Sequence, residues 1–303
     1  MTGPAAGDAL KRIFSAVITP MRHDESIAHD VLAGLVEAQL RRGVEGFYCC
    51  GSSGEGPLLS VPERQSVVRT VVEAVAGRIP VIAHVGAPRT ADVVAMARDA
   101  EKTGADAVSA VPPYYYSYSH SEINAYYETL LGACDLPVIL YNIPQFTHVS
   151  FDKSNAAQLL ANDRVVGIKH TEHNLYTLER LHSAFPEKVY LNGFDEIFLS
   201  SLTAGATGTV GTTVNVQPEL FLAVRAAFAR GDVREGQRVQ SQINHVVETL
   251  VRHGIFAATK YLVALQGFPT SGCRAPLRPL DDDDRSALQS LHEQMQKFPI
   301  SPH

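Results

Sequence analysis

Read for apolar and polar positions, the chain alternates short apolar runs with longer amphipathic segments from end to end. The runs span 13–20, 46–51, 80–86, 107–113, 137–144, 165–171, 189–194 and 208–213, eight in all. Short runs apolar on both faces and bounded by turn residues are the signature of strands in a covered parallel sheet. Between them lie helical patterns. Val31, Leu32, Leu35, Val36 and Leu40 fall on one face, and Gly43 is placed to stop that helix. Ser60-Val61-Pro62-Glu63 has capping-box spacing with Pro in the first turn, and Val67, Val68, Val71, Val72 and Val75 continue the stripe. Further helices are expected over 91–103, 121–131, 154–161 and 175–185.

A small echo supports repeated βα units. Arg42-Gly43-Val44-Glu45, Thr103-Gly104-Ala105-Asp106 and Ala204-Gly205-Ala206-Thr207 each join a helix end to the next strand. Eight such units predict an α/β fold, a (β/α)8 TIM barrel over residues 1–230. The tail turns helical, with stripes at 239–251, 256–265 and 286–295, so a C-terminal helical appendage is expected over 231–303. Asp281–Asp284 reads as a solvated helix start. An open doubly wound sheet fits less well, because no G-x-G-x-x-G follows the first strand.

Composition narrows the classes. Apolar residues make up 45% and charged residues 19% of the 303, so a large core is expected and disorder is not. A net charge of -6 without Lys/Arg runs argues against a nucleic-acid or anionic-membrane partner. The N-terminal MTGPAAGDALKR carries no apolar leader core, and no stretch approaches a membrane span, so a soluble, cytoplasmic protein is expected. Cys49, Cys50, Cys134 and Cys273 match no zinc spacing and read as buried thiols of a reducing compartment.

The candidate chemistry centres on one lysine. Lys169 ends the apolar run Val165–Ile168 and opens a polar loop, an odd place for an ammonium unless it is paired or neutral. Desolvation lowers a lysine's pKa and frees its amine to attack a carbonyl. The plainer reading is a strand-end lysine that snorkels to water. The other six lysines, at 11, 102, 153, 188, 260 and 297, do not end an apolar strand run in this way.

In a βα barrel, chemistry sits at the carboxyl ends of strands. There stand the loop Gly51-Ser52-Ser53-Gly54-Glu55-Gly56, the Tyr114-Tyr115-Tyr116 run, Tyr141-Asn142-Ile143-Pro144, Lys169 with Thr171, Gly193 with Asp195 and Glu196, and Thr212. The Gly/Ser loop has parts for holding a carboxylate or phosphate, though most such loops are turns. Tyr141, one strand from Lys169, could move protons or be a satisfied core tyrosine. Asp195 and Glu196 open a helix, where capping would account for one, and suit recognition of a polyol's hydroxyls.

GSSGEG, the Tyr run after VPP, YNIP, GIKHT, NGFDEIF, AGATGTVGTT and GCRAPLRPL together resemble the pyruvate-dependent class I aldolase family, over nearly the whole chain and in order. Dihydrodipicolinate synthase and N-acetylneuraminate lyase belong to it, and this chain most resembles the lyase branch. The resemblance implies a homotetrameric barrel cleaving a 2-oxo sugar acid, with pyruvate and a sugar aldehyde as partners. Lys169 then corresponds to the Schiff-base lysine and Tyr141 to the proton shuttle. Ser52 and Ser53 match the pair holding the pyruvate carboxylate, and Tyr115 the residue that enters a neighbouring subunit's site. Thr171, Gly193, Asp195, Glu196 and Thr212 match positions lining the sugar tail. No cofactor and no metal are expected. Ser53 and Thr212 stand where relatives usually carry Thr and Ser, keeping the hydroxyl, while His170 departs from the pattern. Two other readings stay open: a metal-dependent enzyme using His170, Glu172 and His173, and a non-catalytic ligand sensor.

Overall fold

The computed structural model describes residues 7–298; the first six residues of the N-terminal segment and the last five of the appendage lie outside the described residues. Eight parallel strands close into a barrel in chain order: β1 (Ile13–Ala16), β2 (Gly46–Cys49), β3 (Val81–His84), β4 (Ala107–Ala110), β5 (Val138–Asn142), β6 (Val165–His170), β7 (Val189–Asn192) and β8 (Gly208–Gly211). Each strand lies inside one expected run and stops before the run does. The surplus apolar residues, Val111 and Ile143 among them, continue past the sheet and line the mouth of the barrel.

Around the strands run α1 (His29–Arg41), α2 (Val61–Val75), α3 (Thr90–Thr103), α4 (His120–Leu131), α5 (Pro144–Thr147), α6 (Ala157–Leu160), α7 (Leu175–Ala184), α8 (Phe198–Thr203) and α9 (Pro218–Ala229). After them come α10 (Val233–Arg252), α11 (Ile255–Leu265) and α12 (Asp282–Met295). The capping box of α2 forms as its spacing requires: Ser60 N donates to Glu63 Oε2 at 2.7 Å, and Glu63 N donates to Ser60 Oγ at 3.4 Å.

Two expectations need correction. The helix expected over 154–161 is the single turn α6, because Asp152 Oδ1 accepts from Ser154 N at 2.7 Å and Asn155 N at 3.0 Å and holds the preceding chain in a turn. The acidic run at α12 is also less solvated than expected. Asp284 is buried, bonded to Arg278 Nη1 at 2.6 Å and to His253 Nδ1 at 2.7 Å.

The core has two shells. One lies between sheet and helices; the other fills the barrel with Phe14, Tyr48, Ile82, Ile139, Tyr141 and Leu191. Register puts Tyr141 beside Lys169 and Lys169 beside Leu191, so the lysine shares the barrel's inner face with these residues. The C-terminal helices return to the barrel's carboxyl end. From α10, Gln240 donates to Asp195 O at 3.0 Å and accepts from Leu199 N at 2.9 Å.

Candidate active site

Alternation along β6 turns Lys169 inward and His170 outward. Lys169 is 4% exposed, and its Nζ lies 3.8 Å from the centre of the Tyr141 ring and 4.4 Å from that of Tyr48. Among the described residues no carboxylate comes within ion-pairing distance of it. Aromatic faces offset part of an ammonium's desolvation. Tyr48 donates to Ser109 Oγ at 3.0 Å, and burial pushes its phenol well above the usual range. Tyr141 is buried to 3%, lines the adjoining cavity, and makes no hydrogen bond through its hydroxyl among the described residues. An amine and a phenol so placed can form an imine and pass protons beside it.

His84, at the carboxyl end of β3, packs edge-on against Tyr141 with ring centres 5.6 Å apart. Burial, then the charges of Arg64 and Lys169, keep this imidazole neutral. Its Nδ1 lies 3.1 Å from both Cys50 O and Arg64 Nη2, and its Nε2 accepts from Val111 N at 3.4 Å. Nothing in the motif reading singled out His84. The signal was there, since it is the one ionisable residue in the apolar run 80–86, the same oddity that marks Lys169.

The loop after β2 is shaped by its glycines. A Cβ on Gly56 would lie 1.9 Å from Cys50 O, so only glycine lets the loop close on itself. Gly54 O accepts from Thr19 Oγ1 at 2.7 Å. Ser52 faces the cavity, and Ser53 Oγ meets Thr212 Oγ1 at 2.7 Å. Asn215 fixes that side of the mouth by donating to Ala16 O and Thr212 O, each at 2.8 Å.

Past β6 and β7 two buried oxygens have no partner: Thr171 Oγ1 and Asp195 Oδ1. Both stand against glycines at which a Cβ would collide with them. A Cβ on Gly193 would fall 1.8 Å from Thr171 Oγ1, and one on Gly211 would fall 2.2 Å from Asp195 Oδ1. The other Asp195 oxygen accepts from Thr213 N at 2.7 Å, so this acid reaches across to the β8 loop and does not cap its own helix. Burial raises its pKa to about 6 despite that bond. Glu196 meets His173 Nε2 at 3.3 Å, and the His173 ring stacks on Phe194 at 4.4 Å. Buried polar atoms are ordinarily bonded, so the two orphaned oxygens suit a hydroxyl-bearing ligand.

Lys169, Tyr141, Ser52, Ser53, Thr171, Gly193, Asp195, Glu196 and Thr212 thus converge on one end of the barrel. Tyr115 does not join them. It stands 84% exposed, with φ 87°, beside the equally outlying Tyr116. The metal reading loses its geometry. His170 turns outward to bond Asn142 Nδ2 and Asn174 O, each at 3.2 Å, while Glu172 pairs with Asn142 and His173 with Glu196. The three side chains do not point to a common centre.

A cavity of about 270 Å³ opens beside this cluster, lined by Ser52, His84, Tyr114 and Tyr141 and, from the C-terminal part, Phe256, Pro276 and Leu277. Phe256 had no signal in the sequence, because nothing in an apolar helix stripe says which barrel end it covers, whereas Pro276 and Leu277 lie within GCRAPLRPL. A larger groove of about 650 Å³ lies outside, between α1, α9 and α12, away from these reactive groups.

The model of the Dihydrodipicolinate synthetase family matches residues 9–295. The chain belongs to that family. An N-acetylneuraminate lyase of Rhizobium meliloti (strain 1021) is 38% identical over 280 residues, covering 92% of this chain and 93% of the relative. Among solved structures, CdNal of Clostridium difficile in complex with mannosamine superposes with a TM-score of 0.92 at 29% identity, covering 94% of this chain and 99% of that one. A catalytic-lysine mutant of the sialic acid aldolase of Ruminococcus gnavus gives 0.93 at 27% identity, covering 95% and 96%. The family's barrel with its C-terminal helices is therefore the fold of this chain, as the resemblance implied.

Proposed function

We propose that this chain is a class I aldolase that reversibly cleaves N-acetylneuraminate to pyruvate and N-acetylmannosamine. The observation that carries the reading is Lys169: buried, without a counter-ion among the described residues, and 3.8 Å from the centre of the Tyr141 ring at the carboxyl end of the barrel. Its amine adds to the C2 carbonyl of the open-chain sugar acid, and water leaves to give a protonated imine. Tyr141 gives its proton to that departing water and, as phenolate, takes the proton of the C4 hydroxyl as the C3–C4 bond breaks. The electron pair passes into the imine as an enamine, and the aldehyde departs. Protonation at C3 and hydrolysis return pyruvate and the free lysine. Ser52 and Ser53 hold the carboxylate. Thr171, Asp195, Glu196 and Thr212 take the hydroxyls of the tail, and Gly193 leaves them room.

The second partner is read from the turn after β5, which continues Gln145-Phe146-Thr147-His148 with no fixed cation. Phe146 lines the cavity, so a neutral polyol aldehyde suits this wall better than an anionic semialdehyde. Curated relatives named N-acetylneuraminate lyase support the same choice. A related 2-oxo sugar acid such as 2-keto-3-deoxygluconate is the alternative substrate.

Assembly as a homotetramer belongs to the proposal, with Tyr115 reaching a neighbouring subunit. Exposed Tyr115 and Tyr116 support it, since contiguous exposed aromatics mark interaction sites. So do a cytoplasmic location, supported by free cysteines and by the absence of any helix long and apolar enough to cross a membrane among the described residues, and a division into a barrel over 1–230 and an appendage over 231–303. The test is to assay purified protein with N-acetylneuraminate, 2-keto-3-deoxygluconate, and pyruvate plus aspartate semialdehyde. N-acetylneuraminate should be turned over fastest. A faster semialdehyde reaction would overturn the branch; a faster ketodeoxygluconate reaction would change only the sugar.

A further inference from the structure

Glu55 is the one charged residue of the loop 51–56, and a free carboxylate there would repel the substrate carboxylate assigned to Ser52 and Ser53. Glu55 lines the same cavity as Ser52, but its charge is answered within the fold. With a left-handed backbone (φ 56°), it buries its side chain and pairs with Lys260 of α11, which is itself buried. Arg274 N donates to Glu55 Oε2 at 2.8 Å, and Lys260 Nζ also donates to Gly272 O at 3.3 Å. One carboxylate therefore joins the serine loop to α11 and to the segment after it. Arg274 adds a second tie, donating to Leu58 O at 3.1 Å and pairing with Glu63 in the first turn of α2. The same stretches supply Phe256, Pro276 and Leu277 to the cavity wall.

We infer that Glu55 and Lys260 are positioning residues that hold the two serine hydroxyls in register for the substrate carboxylate, so the C-terminal helices are part of the carboxylate site. This rests on the Schiff-base reading above. A loop of glycines and serines has little side-chain volume to lock it by packing, whereas a buried ion pair fixes both distance and direction. Hydroxyls that must meet a carboxylate need placement to about 0.5 Å. Lys260 neutralises Glu55 within the fold.

The test is borohydride trapping at Lys169 with pyruvate and with methyl pyruvate, whose carboxylate is masked, in the parent, Glu55→Gln and Glu55→Gln/Lys260→Met. The inference expects the half-saturating pyruvate concentration to rise roughly 10- to 100-fold in both variants, and that for methyl pyruvate to stay within about twofold. The double variant leaves no buried charge unpaired and serves if the single one fails to fold. Equal losses for both carbonyls, or none, would overturn the inference while leaving the Schiff base standing. Absence of any Lys169 adduct in the parent would overturn the Schiff-base reading, and this inference with it.

Discussion

Two of the buried lysines are held on opposite terms. Lys260, on α11, meets a carboxylate and a carbonyl, its charge answered by Glu55. Lys169, on β6, meets the faces of Tyr141 and Tyr48 and no carboxylate among the described residues. At 1% and 4% exposure the two are equally shielded from water. On the proposed reading burial alone does not make a nucleophile; burial without a counter-ion, beside a tyrosine and an open cavity, is what would. A partnered buried amine is a strut, and breaking a buried pair by removing one side is costly, about 3–5 kcal/mol.

The comparison breaks most visibly if the two lysines are exchanged in role. Lys169→Ala should lower turnover on the order of 10⁵-fold or more and leave the melting temperature unchanged or raised. Lys260→Met should instead lower stability by about 3–5 kcal/mol, read by urea denaturation, and still give an adduct on Lys169. Next in size is Tyr141→Phe. As the proton shuttle it should cost about 10²–10⁴-fold in kcat with a small change in KM. A loss under about threefold would return Tyr141 to the role of a core tyrosine packed on Lys169.

Much of this contrast was legible in the sequence, and for a definite reason. A strand is short and its residues are read one by one, so a lysine closing an apolar run stands out. Lys260 sits in a helix whose stripe tolerates a long aliphatic stem, and its partner lies about 200 residues away in a loop read for its serines and glycines. Neither residue announces the other. Strands and most helices followed from periodicity, whereas α6 did not, because the Asx turn at Asp152 outcompeted the helix. Thr171 and Gly193 could be set on neighbouring strands, but that a Cβ at 193 would strike the Thr171 hydroxyl is visible only in three dimensions.

The same logic of unanswered charge sharpens at Asp195. Its folded pKa of about 6 lies above the ordinary value of 3.8, so the ionised form is disfavoured in the fold. The cost is absent below about pH 4, grows as pH rises toward 6, and is complete above it, about 3 kcal/mol in all. Asp195→Asn keeps an oxygen for Thr213 N and should gain up to that much stability at about pH 8 and little at about pH 4, measured by urea unfolding. A gain equal at both pH values would contradict it. The smallest expected effect is at Glu196, partly exposed and paired with His173. Glu196→Ala should lower kcat/KM for the sugar acid roughly 2- to 12-fold, the net worth of one ordinary hydrogen bond at a partly exposed site, and spare a short 2-oxo-4-hydroxy acid.

The central claim, that the unpartnered lysine is the nucleophile, is tested most directly by borohydride reduction with pyruvate followed by peptide mass mapping. The account predicts one reduced pyruvate adduct per chain, on Lys169, and none on Lys260. An adduct on Lys260 or any other lysine in place of Lys169, or no adduct at all, would contradict it.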